Sequence, residues 1–114
     1  MTVEITFLGS PKHRCKDGKI YDVIDYPFRV SKGESNCTVV VGIPGQCHDP
    51  AEALGLKKLS SSELIKAATD WLHFHLVERG DRDPFSRPET DRVIDLSLDI
   101  VEHWADHRSF PPWF

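Results

Sequence analysis

The sequence is poor in the features that would announce a compartment or a chemistry. Its 114 residues include only three cysteines and one methionine. No apolar run approaches the ~20 residues a membrane-spanning helix needs, so no contact with a bilayer is expected. The first residues, Met1 to Phe7, alternate in polarity instead of forming the unbroken apolar core of a secretory leader, and read as a strand. An odd number of cysteines without such a leader cannot close into a disulfide framework. Reduced thiols and a cytoplasmic address are therefore expected.

An excess of positive charge is also missing. Lys and Arg number 14 against 18 Asp and Glu, a formal net charge of -4, which argues against a general nucleic-acid binder. There is no phosphate-cradling glycine loop, no visible nucleophile triad, and no carboxylate pair isolated among apolar residues. Internal repeats and low-complexity stretches are absent. These gaps lean the reading away from an enzyme.

What is present is a change of hydrophobic period. The hydrophobic fraction of 39% and charged fraction of 28% suit one globular domain spanning residues 1–114. Up to about residue 43 the apolar side chains recur every second position, and from about residue 60 they recur at helical intervals. Strands are expected over about 2–8, 19–31 and 37–43, the second bent or bulged because Asp22 and Pro27 interrupt it. Residues 44–59 form a linker, with a short helical turn opened by Asp49 and Pro50.

Helices follow over about 61–79 and 87–107. The first is opened by a Ser60–Glu63 capping box and the second by a Ser86–Glu89 capping box. The expected class is α+β, a three-stranded antiparallel meander (β-β-β-α-α) packed on one face by an antiparallel helical hairpin. The outer face of that sheet would carry Tyr21, Val23 and Val40 among charges.

Few side chains stand out as chemical candidates. His75 falls within the apolar face of the first helix and needs polar partners if buried; Asp22, which also breaks an apolar stripe, is the acid to test. His73 points the other way, so the His-Phe-His run cannot clip a metal on a helix. Asp99, His103 and His107 share a helix face at spacings of four, but Trp104 stands where a zinc hydrolase needs its glutamate.

In a meander, the loop after the first strand and the segment after the third leave the same end of the sheet. His13 and Cys15 lie on one and Cys47 and His48 on the other, together a four-ligand set of the kind zinc takes. Cys47 could also serve as a nucleophile if a histidine lowered its thiol pKa. Lys12, His13, Arg14, Lys16 and Lys19 crowd a basic loop. The tail holds Phe110, Trp113 and Phe114, which either close the domain's own core or dock on a partner.

The leading reading is a non-enzymatic protein-binding or regulatory module without a cofactor, its partner another protein or a second copy in a homodimer. The alternatives are a zinc-dependent protein or small enzyme using His13, Cys15, Cys47 and His48, and nucleic-acid contact through the basic loop.

Overall fold

A computed structural model describes residues 3–48, 59–78, 85 and 92–110. Among these residues the fold is a mixed α+β arrangement with a five-stranded sheet. Its strands are β1 (Val3–Phe7), β2 (Lys12–Lys16), β3 (Lys19–Lys32), β4 (Ser35–Pro44) and β5 (Val93–Asp95), and its helices α1 (Ser61–His73) and α2 (Leu98–His107).

The expected antiparallel neighbours hold: β3 pairs with β1 on one edge and with β4 on the other. Phe28 is the hub, lying between Phe7 of β1 and Val39 of β4 and wholly buried. Tyr26 against Val41, Val30 against Cys37 and Ile24 against Ile43 complete the inner layer. Because side chains alternate across a strand, this register sends Val23, Asp25 and Pro27 of β3 and Thr38 and Val40 of β4 to the opposite face.

Two strands depart from the expected plan. The basic segment is not a loop: Lys12–Lys16 is β2, antiparallel to the first half of β3. Asp17 and Gly18 turn the chain with φ of 54° and 76°. Positive φ at both central residues is what a type I′ hairpin turn requires, and Asp-Gly is among its preferred pairs. Between the partners His13–Ile24 and Cys15–Ile20 the register shifts, so Tyr21 to Val23 bulge opposite Arg14. The interrupted strand is bulged, as Asp22 suggests.

Pro27 lies where its missing donor is harmless. Its carbonyl accepts from the Leu8 N–H at 3.0 Å, so its nitrogen faces the break between β1 and β2, where Gly9 and Ser10 take positive φ.

The second correction concerns residues 87–107. Where one long helix is expected, Val93–Asp95 is a strand parallel to β4, and of the described residues in that span Leu98–His107 alone are helical. The Val40 N–H donates to the Arg92 carbonyl at 2.9 Å and the Leu96 N–H to the Gly42 carbonyl at 2.8 Å. A parallel neighbour needs a crossover, and α1 supplies it, so a β-α-β step replaces a helical hairpin with a short link.

Ser60 caps α1 as expected: its Oγ accepts from the Glu63 N–H, and its own N–H donates to Glu63 Oε1 at 3.0 Å. The last turn, Phe74–Glu78, widens into a π-helix, and consecutive residues Phe74 and His75 are both buried. Ser97 caps α2, its Oγ accepting from the Ile100 N–H. The helical turn near 49–55 and the Ser86–Glu89 box lie outside the described residues.

The two helices meet on the inner side. Trp104 Nε1 donates to Asp70 Oδ2 at 2.8 Å, and Arg108 pairs with Glu63 while its guanidinium lies 4.7 Å from the centre of the Trp104 ring. The Ser60 N–H, and after it Arg108, hold the Glu63 carboxyl below the usual glutamate range. No helix among the described residues is long and apolar enough to cross a membrane.

Candidate binding surface

Among the described residues, the helices leave the outer face of the sheet open. Val23, Pro27, Thr38 and Val40 are half-buried there, and at its margin Val93 is 37% exposed. By strand alternation Tyr21, 43% exposed, extends the same face.

One row of residues crosses this face from strand to strand. Asp25 of β3 is the register partner of Gly42 of β4, and Gly42 is the partner of Asp95 of β5. Arg14 reaches in from β2 and joins the two carboxylates. Its Nη2 donates to Asp25 Oδ1 and to Asp95 Oδ1, each at 2.7 Å; Nε donates to Asp25 Oδ1 at 3.0 Å and Nη1 to Asp95 Oδ2 at 3.2 Å. Hydrogen bonds to Asp95, then to Asp25, raise the pKa of the guanidinium further above its already high value, so it carries its charge at any working pH.

Gly42 makes the arrangement possible. A Cβ on it would stand closer than 3.0 Å to Asp95 Oδ1, Arg14 Nη2 and Val23 Cγ1. A planar guanidinium thus lies over the bare backbone of β4, flanked by a carboxylate on each side. Two aspartates against one arginine leave the row with one net negative charge.

A groove of about 440 Å³ opens beside the row, lined in part by Lys12, His13, Cys15, Asp25, Pro27 and Val40. A second groove, of about 290 Å³, lies between α1 and the end of α2 and includes Lys66, Asp70, His73 and Arg108. Its ionic groups are already engaged, Lys66 with Asp70 at 2.6 Å and Arg108 with Glu63.

The residues singled out from the sequence fall as follows. His75 is buried in an aromatic cluster, its ring 4.3 Å from that of Trp71 and 5.5 Å from that of Phe74. Asp22, the acid considered for it, is exposed on β3 with its carboxylate against Gly45. Phe110 is 8% exposed and packs on Trp71 at 4.8 Å, inside the protein's own core. Trp113 and Phe114 lie outside the described residues.

Among the described residues, the proposed zinc ligands are not brought together. His13 and Cys15 sit exposed on β2, Cys47 is buried in the 3-10 turn Gly45–His48, and the side chain of His48 lies outside the described residues. Among the described residues, no group of three or more His, Cys, Asp or Glu could hold a metal. His103 and His107 stack, ring centres 4.3 Å apart and planes 18° from parallel, with His107 Nδ1 3.1 Å from the His103 carbonyl.

Cys47 lacks the setting of a nucleophile. Burial, and after it the charge of Glu102, pushes its thiol up to about 11, so it stays protonated at neutral pH. Burial also pushes Tyr26 up to about 12, with Cys47 adding to the effect.

These shifts predict an alkaline loss of stability. Both groups hold their protons more tightly folded than unfolded, so their contribution is complete below about pH 9 and declines as pH rises, through 9 to 11 for Cys47 and through 10 to 12 for Tyr26. Urea unfolding at pH 8, 10 and 11 should show this decline, amounting to about 2 kcal/mol at most from Cys47. Cys47→Ala should flatten it; an equally steep decline in the variant would contradict the assignment.

Compared with known proteins, the chain matches no family model, no characterised protein and no solved structure.

Proposed function

We propose that this chain is a non-enzymatic binding module that works by protein contact through the outer face of its sheet. The observation that carries this reading is the Arg14–Asp25–Asp95 row, set over Gly42 among half-buried and exposed apolar side chains. Apolar patches ringed by ordered polar groups are a common form of contact surface. Val23, Pro27 and Val40 supply area without titratable chemistry, while the fixed charges supply register. No disulfide joins the three cysteines and Cys15 is exposed, which fits a reducing cytoplasm.

A second copy of the chain is the first partner to test. The face carries Lys12 and Arg29 as well as Asp25 and Asp95, so two copies can meet with opposite charges opposed. Sedimentation velocity over a range of concentrations should show association that Val40→Glu abolishes, with the variant's Tm within a few degrees of the parent's. Association that survives both Val40→Glu and Val93→Glu would move the contact off this face.

A further inference from the structure

The edge of the sheet carries a more specific expectation, which rests on the reading of the chain as a protein-binding module. Among the described residues β2 pairs only with β3, and no strand among them lies along its far edge. In an antiparallel ladder alternate residues of an edge strand turn their N–H and C=O groups outward, where an extended chain can bind them. Lys16 and Lys19 close the hairpin, which directs the backbone groups of Cys15 outward.

The side chains along this edge define what can bind. Lys12, Arg14 and Lys16 share one face by alternation, and Lys12 is directly opposite Asp25. Arg14 already holds two carboxylates. Lys12 and Lys16, exposed at either end of β2, take part in no ion pair among the described residues. A second copy of β2 laid alongside would oppose lysine to lysine, the usual device by which an edge resists its own kind.

We propose that the β2 edge binds an extended acidic protein segment as an added strand. Carboxylates four residues apart on that segment pair with Lys12 and Lys16, and an uncharged residue lies between them opposite Arg14. The groove lined by His13, Cys15 and Pro27 takes the side chains beside the added strand.

The test uses a fluorescent peptide with a Glu-Thr-Val-Thr-Glu core, titrated with the full chain and followed by anisotropy. Saturable binding is expected, about tenfold weaker for Lys12→Glu/Lys16→Glu and recovered by a peptide with lysine in place of both glutamates. N-methylation of alternate peptide amides, which leaves charge intact, should abolish binding. No saturable binding to the parent chain would overturn the proposal. So would equal binding of the N-methylated peptide, or tighter binding of a single-stranded oligonucleotide through the same lysines. A failed peptide titration leaves the outer-face reading standing, because Val40→Glu and sedimentation test that separately.

Discussion

Trp104→Ala should lower the unfolding free energy by about 3–5 kcal/mol, among the largest losses available to a single substitution in this chain. The indole is 2% exposed where α2 meets α1, and truncation would leave a cavity its rigid neighbours cannot fill. It would also leave Asp70 Oδ2 without its 2.8 Å donor and remove the ring beneath Arg108. Trp104→Phe separates these effects, since it keeps most of the volume and loses the N–H; its expected cost is about 1–2 kcal/mol. Urea titration of both variants at neutral pH checks the pair. A loss below about 1 kcal/mol for the alanine variant would mean that the helices do not pack through this residue.

Gly42→Val should cost about 3 kcal/mol, because a branched side chain would enter space held by Arg14, Asp95 and Val23. The expected damage is local first. The Leu96 N–H bonds to the Gly42 carbonyl, so its hydrogen exchange should accelerate more than that of the β3–β4 amides. Arg14→Ala should cost only about 1 kcal/mol, since the Arg14 network is partly exposed and solvent screens it. The double variant should fall short of the summed losses by at least ~0.5 kcal/mol, because removing the guanidinium makes room for the valine. Strict additivity would contradict the contact between positions 14 and 42.

Much of the sheet was legible because its inner face alternates cleanly. Val3, Ile5 and Phe7, then Tyr26, Phe28 and Val30, then Cys37, Val39, Val41 and Ile43 admit one register on a one-sided core. The start of α1 was legible for a similarly local reason, the reciprocal bonds of Ser60 and Glu63.

The hairpin at β2 was hidden by its charges. Lys-His-Arg-Cys-Lys buries little and shows no apolar alternation, and Asp17-Gly18 was the available signal. Strand β5 is too short to display a period. Val93, Leu96, Ile100, Val101 and Trp104 mimic one helical stripe, although a strand, a Ser97 cap and a helix divide them. Ser97 has Ile100, not an acid, three residues on, so no capping box marks the true start. The Arg14 row could not be read at all, because Arg14 and Asp95 stand 81 positions apart and meet only through the parallel placement of β5.

The open outer face can be tested directly with the chain's two tyrosines. Tyr21 is 43% exposed beside that face and Tyr26 is 2% exposed beneath the sheet. Tyrosine acetylation read by mass spectrometry in dilute protein should modify Tyr21 readily and spare Tyr26. At concentrations where the chain associates, Tyr21 should become protected. Protection of Tyr21 already in the dilute monomer, or unchanged reactivity in an associated sample, would contradict an open outer face that serves as the contact surface.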